Sequence, residues 1–138
     1  MEADGGPLAA IVAAANIHDT KLLAATLEAV VVQRAQPTPD APQHLCLDKG
    51  YDNPTGRRAV TDHQYLPHIR RIGEEKFDPG TSEKMYPARR WVVERTLGWL
   101  SKCRALLIRW DKKSANYLGL IKLACALLWY RRLARLTV

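Results

Sequence analysis

Two carboxylates stand where the surrounding residue types do not call for them. The segment "LCLDKGYD", residues 45–52, opens as a short apolar strand and stops abruptly on Asp48. Gly50 lets the backbone turn away at once, which leaves that carboxylate at a strand end. Glu94 is the second. Its neighbours Trp91, Val92, Val93, Leu97, Trp99 and Leu100 make most of the helix circumference apolar, so the helix and its glutamate are expected to be largely buried. A buried carboxylate costs several kcal/mol unless it is paired or binds a metal. Two readings follow for the pair. Either Asp48 and Glu94 are cation ligands, or Asp48 caps the next turn and Glu94 is ion-paired with Arg90 or Arg95. Gly98 and Ser101, one and two turns beyond Glu94, share its face and leave a lane for close approach of another backbone or a nucleic-acid strand.

The elements that must position these residues read as follows. "PLAAIVAAANI" reads as a buried strand, though its alanines would also suit a helix. "HDTKLLAATLEAVVVQRA" is expected to form a helix with Asp19 as its N-cap and Leu22, Leu23, Thr26, Leu27 and Val30 at helical spacing. "QPTPDAPQ" ends it with three prolines. After the strand "HLCLD", Asn53 and Pro54 are a cap and first-turn pair that starts a helix running to about Asp62. "YLPHIRR" is a strand that Pro67 confines to an edge. Residues 73–88 read as a polar loop. "RRWVVERTLGWLSKCRALL" is expected to be one long helix, and "DKKSA" a break whose Ser114 caps a final helix. Trp91, Trp99, Trp110 and Trp129 read as core.

This order implies a layered α/β fold, in which ligands gather beyond the carboxyl ends of strands. At 138 residues the chain is expected to be a single domain, with a strand–helix part over 1–72, the loop over 73–88, and helices over 89–138. Charge divides it sharply. Residues 89–138 hold 12 Lys/Arg against 2 acidic residues, whereas residues 1–88 hold 9 against 12, for a total of +7. A basic half of this kind suits a polyanion, with a solvated helical surface as the alternative. Cys46, Cys103 and Cys125 lack metal or disulfide spacing and read as small hydrophobes in a reducing cytoplasm. The four histidines show no ligand spacing. The acidic start Met1–Asp4 is unlike a signal peptide, and no apolar run is long enough to span a bilayer.

"LCLDKGYDN" followed by "RRWVVERTLGWLSKCRALLIRW" resembles the DDE transposases of bacterial insertion sequences. "GGPLAAIVAAANIHDTKLL" and the closing "LIKLACALLWYRRL" are similar to further segments of that family, in the same order. The resemblance implies a ribonuclease H-like fold with a mixed sheet, flanking helices and a long helical C-terminus. It puts Asp48 and Glu94 at the second and third positions of the Asp–Asp–Glu triad. The family's Tyr–Arg–Glu–Lys pattern falls on Tyr86, Arg89 or Arg90, Glu94 and Lys102, with Lys102 one position late. No counterpart of the first triad aspartate precedes the Gly5–Gly6 turn, and Asp4 stands within that turn. The chain therefore reads as an N-terminally truncated catalytic domain, expected to be inert or nearly so alone.

The activity implied is DNA strand cleavage and strand transfer. The triad would hold two divalent cations, Mg²⁺ or Mn²⁺, roughly 4 Å apart. Lys49, Arg89, Arg90, Arg95, Lys102 and Arg104 are the candidate DNA contacts, though one helix cannot turn all of those near Glu94 toward one ligand. Tyr51 and Tyr86 read as packing residues, with stacking on a frayed base as the alternative. Expected partners are transposon-end DNA and another copy or a full-length transposase. The competing functions are a non-catalytic DNA-binding or inhibitory protein and a metal-dependent nuclease of the same fold.

Overall fold

The computed structural model describes residues 1–69 and 90–136, with the side chains of Arg90 and Leu136 outside the description. The expected loop over 73–88 lies outside the described residues, as do Tyr86 and Arg89. The chain divides into two compact units. One comprises Met1–Ala14, Ala29–Val32 and Arg89–Val138, and the other Ala15–Glu28 and Gln33–Ala88.

The second unit is a strand–helix–strand arrangement. Strand β1 (His44–Leu47) pairs in parallel with β2 (Leu66–Ile69), with His44 opposite Leu66 and Leu47 opposite Ile69. Parallel strands need a crossover, and α2 (Pro54–Asp62) supplies it. Its start is set locally, as expected. The Asn53 side chain accepts from the Gly56 amide at 2.8 Å, and Pro54 opens the first turn. Val60 of α2, fully buried, packs in the same unit as buried Ile69 of β2 and Leu23 of α1 (Leu23–Glu28). Arg34 stacks over the Tyr65 ring and donates to the His63 carbonyl and the Gln43 side chain. This ties the proline-rich connector to the α2–β2 end.

Several elements depart from the sequence reading. Helix α1 is six residues long, preceded by a 3₁₀ turn, Asp19–Leu22. His18 caps that turn through its ring nitrogen, in place of Asp19. "PLAAIVAAANI" forms no strand. It is half-buried over 7–12, and a long bond from the Val31 amide to the Leu8 carbonyl, 3.5 Å, joins it to the chain ahead of the connector. Apolar, β-branched residues favour a pleated surface only where a ladder partner exists. The described sheet has two parallel strands, not the mixed sheet expected.

The first unit is helical. The expected single helix over 89–107 is broken: α3 (Arg90–Leu100) ends in a turn through Ser101 and Lys102, and a short α4 (Arg104–Leu107) follows. Helix α5 (Ser114–Leu136) is the longest element, and Ser114 is its first residue, with Lys113 in the cap position. The Asp4–Gly5–Gly6 turn fits between α3 and α5. Gly5, at φ 91°, lies so close to α3 that a Cβ would meet Thr96 Oγ1 at 2.9 Å and Val92 Cγ1 at 3.0 Å. At Gly6 a Cβ would lie 2.2 Å from the Trp129 ring of α5. Thr96 donates to the Gly5 carbonyl, Trp129 to the Pro7 carbonyl, and Arg132 pairs with Glu2 at 2.6 Å. Burial works to raise the Glu2 carboxyl, but the Asp4 and Gly6 amides and the Arg132 guanidinium outweigh it, and the group is held below the usual range. No helix among the described residues is long and apolar enough to cross a membrane.

Candidate functional site

Asp48 stands one residue beyond β1, at the carboxyl end of that strand, exposed to solvent. It caps a 3₁₀ turn, Lys49–Tyr51, by accepting the Gly50 amide on Oδ1 at 2.9 Å. A Cβ at Gly50 would meet that same oxygen at 3.1 Å, so glycine leaves the carboxylate its place. The capping role, weighed from sequence against cation ligation, is thus present at the strand end, and it occupies one carboxylate oxygen. Among the described residues Oδ2 has no hydrogen bond. Tyr51, three residues beyond Asp48 at the end of that turn, is half-buried. Burial raises its phenol, and the charges of Asp19 and Asp48 raise it further. Asp19 thus bears on the Tyr51 phenol through its charge, as Asp48 does, an influence that its reading as a cap concealed. Asp52 is engaged elsewhere, in a 2.6 Å pair with Arg57.

Glu94 lies in the other unit, and here the structure corrects the sequence reading: the side chain is exposed. Helix α3 buries a narrow stripe through Val92 and Thr96, continued by half-buried Trp99 and Leu100. Glu94 is two positions from each of the buried residues, roughly 200° around the helix axis, and so faces outward. Apolar neighbours misled because Trp91, Val93 and Leu97 are also exposed, at 59%, 45% and 53%. The tryptophans divide likewise: Trp91 and Trp110 are exposed, whereas Trp99 and Trp129 are half-buried. Cys46, expected to pack as a hydrophobe, is exposed.

The basic residues separate by what they touch. Arg95 does not pair with Glu94; it donates to the Asp4 carbonyl at 2.6 Å and stacks on Trp91, 4.8 Å from the ring centre. Lys49, Lys102 and Arg104 are exposed. Arg90 opens α3 and Arg89 lies outside the described residues, so neither side chain enters the site as described. Gly98 faces open space, with nothing within 4 Å of a Cβ placed there, and Ser101 is exposed one turn on. The lane beside Glu94 is open.

Asp48 and Glu94 are hard oxygen donors at exposed positions, the donor type that Mg²⁺ and Mn²⁺ take. Among the described residues no three His, Cys, Asp or Glu side chains cluster tightly enough to hold a metal by themselves.

Residues 1–129 match the family model described as "Transposase DDE domain". The chain is also 34% identical over 137 residues to a protein of Burkholderia cepacia described as "Putative transposase for insertion sequence element IS402". That match covers 97% of this chain and 62% of the relative, so the chain spans about three fifths of the relative's length. No solved structure matches the chain.

Proposed function

Because the chain belongs to the transposase DDE domain family, we propose that it takes part in DNA transposition, contributing Asp48 and Glu94 to a carboxylate set that cleaves and transfers DNA strands. The observation that carries this reading is Asp48 itself, an exposed strand-end carboxylate held in place by the Gly50 amide. In layered α/β folds this is where ligands collect, and the ribonuclease H-like layering is part of the proposal.

Each residue has a separable task. Asp48 is the fixed donor, since its rotamer is set by the turn it caps. Glu94, on a helix face with no hydrogen-bond partner among the described residues, can adjust by rotamer to the substrate. Asp48 and Glu94 would hold magnesium or manganese, which would supply Lewis acidity toward the phosphate oxygens. Lys49, Lys102 and Arg104 neutralise backbone phosphates, which gives affinity without sequence preference. Transposon-end DNA in the cytoplasm is the proposed substrate. Asp48 and Glu94 alone do not complete the set, and among the described residues no other strand end carries an aspartate. The chain alone is therefore expected to be inert or nearly so.

Incubation with terminal-repeat DNA and Mg²⁺ or Mn²⁺ tests this, with little or no nicking expected. Efficient nicking abolished by Asp48→Ala would overturn the inertness and uphold the carboxylate. Efficient nicking untouched by Asp48→Ala and Glu94→Ala would overturn the assignment itself.

A second reading has its own support. The unit that contains Glu94 carries a formal charge of +8 and the unit that contains Asp48 −1. A non-catalytic DNA-binding or inhibitory role needs only the first. Inhibition of a full-length transposase by the Asp48→Asn, Glu94→Gln double variant, undiminished from wild type, would favour it.

A further inference from the structure

We propose that the turn between α4 and α5, residues 108–113, is a stacking platform for an unpaired DNA base, with Trp110 as the stacking surface. The inference rests on the DNA-binding reading above and adds a site to it.

Trp110 is 81% exposed, the most exposed large apolar side chain among the described residues. An indole left in water forgoes the burial that normally places tryptophan inside or at an interface. The turn that bears it is nonetheless braced. Arg109 donates through Nε to the Asp111 carbonyl at 3.0 Å and through its guanidinium to the Lys112 carbonyl at 3.4 Å. The same guanidinium lies over the Tyr117 ring, 5.6 Å from its centre, and the Tyr117 hydroxyl donates to the Leu106 carbonyl. Arg109 thus closes the turn from within and ties it to α5, and Tyr117 links α5 back to α4. An aromatic face presented by a braced turn loses little conformational freedom on binding.

Charge identifies the occupant. Lys112 and Lys113 follow Trp110 in the same turn, both exposed, and neither has an ion-pair partner among the described residues. Directly after them comes the N-terminus of α5, a helix of 23 residues with no acidic residue in its first turn. Its leading amides and the positive end of its dipole favour a phosphate. Asp111, half-buried, is the one acid in the turn. An aromatic face followed in the same turn by two lysines and a helix N-terminus matches one nucleotide: a base on the ring and its phosphates on the cations. In an intact duplex each base is already stacked on both faces, so the ligand is a frayed, flipped or single-stranded nucleotide. A purely apolar protein partner would leave both lysines at its rim unanswered.

Binding of the full chain to a short oligo(dT) and to a blunt duplex of equal length, each at low salt, tests the platform. Trp110→Ala should weaken oligo(dT) binding about tenfold, within the range that base–aromatic stacking provides, and leave duplex binding within about twofold. Trp110→Phe should retain most of the wild-type affinity, since a smaller ring still stacks. The Lys112→Ala, Lys113→Ala double variant should weaken both ligands and lower the single-strand salt slope by about 1.4. Unchanged melting of Trp110→Ala shows that the fold is intact. If wild type binds oligo(dT) and Trp110→Ala binds it equally well, the platform is refuted while the DNA reading stands. If wild type binds neither DNA, both fall. If Trp110→Ala instead lowers the oligomeric mass with no loss of single-strand affinity, the indole is a protein contact and the proposal is wrong.

Discussion

Asp48 holds a turn and offers a charge, and two substitutions separate those tasks. Asparagine accepts the Gly50 amide as aspartate does, because both are strong N-cap residues. Asp48→Asn should therefore keep chemical-denaturation stability within about 0.5 kcal/mol of wild type, whereas Asp48→Ala should lose about 1 kcal/mol. Divalent-cation stabilisation of the fold, read as a shift in melting temperature with Mn²⁺, should vanish in both. A shift that survives in Asp48→Asn would remove Asp48 from the ligand set. Tyr51 reports on the same locality. Its phenol is raised by burial and by Asp19 and Asp48, so the folded state favours the protonated form. A raised folded value means that stability is intact below the ordinary tyrosine value near 10 and is lost as pH climbs through the folded one. Melting temperatures between about pH 9 and 11 should fall less steeply in Tyr51→Phe than in wild type. Equal slopes would mean that neither burial nor the Asp19 and Asp48 charges raise the hydroxyl.

At the level of elements, glycine separates tight packing from open surface. Gly6→Ala would drive a methyl into the Trp129 ring, 2.2 Å away before relaxation, and should cost about 1–3 kcal/mol. Gly98→Ala meets nothing and should stabilise α3 by about 0.5–1 kcal/mol, since alanine is the better helix former. Thermal melts of the two variants check the pair, and a stabilising Gly6→Ala would contradict the seating of the N-terminal turn. If DNA runs along the lane beside Glu94, Gly98→Ala should weaken DNA binding while raising stability. The same contrast explains what the sequence made legible. The α2 boundaries came out correctly because an Asn–Pro cap is local chemistry, complete within four residues. The strand end at Asp48 was legible for the same reason. "PLAAIVAAANI" was misread because a strand is decided by a partner far along the chain. Glu94 was misread as buried because a run of apolar types does not say which stripe of a helix meets its neighbours: α3 is fixed by Val92 and Thr96 against Gly5, a contact across 91 positions between Thr96 and the Gly5 carbonyl.

For the whole molecule, the uneven distribution of charge is the property with the widest reach. The positive charge concentrates in the unit built around α3–α5, at +8, while the strand-bearing unit is close to neutral at −1. A duplex drawn by this field should bind through the first unit and release counterions in proportion to the phosphates it neutralises. If about four phosphates are met, the logarithmic salt slope is about −3.6, and affinity drops about 150-fold between 50 and 200 mM salt. Lys102 and Arg104, exposed between α3 and α5, should carry part of that slope. Reversing both to glutamate should flatten it by about 2, because two phosphate contacts are lost. Reversing Arg58, an exposed residue of α2 in the near-neutral unit, should leave it nearly unchanged. Fluorescence anisotropy over a salt series distinguishes the cases. Equal flattening by both reversals would mean that the field acts through net charge alone, with no surface dedicated to DNA, and a flat wild-type series would remove phosphate binding from the account altogether.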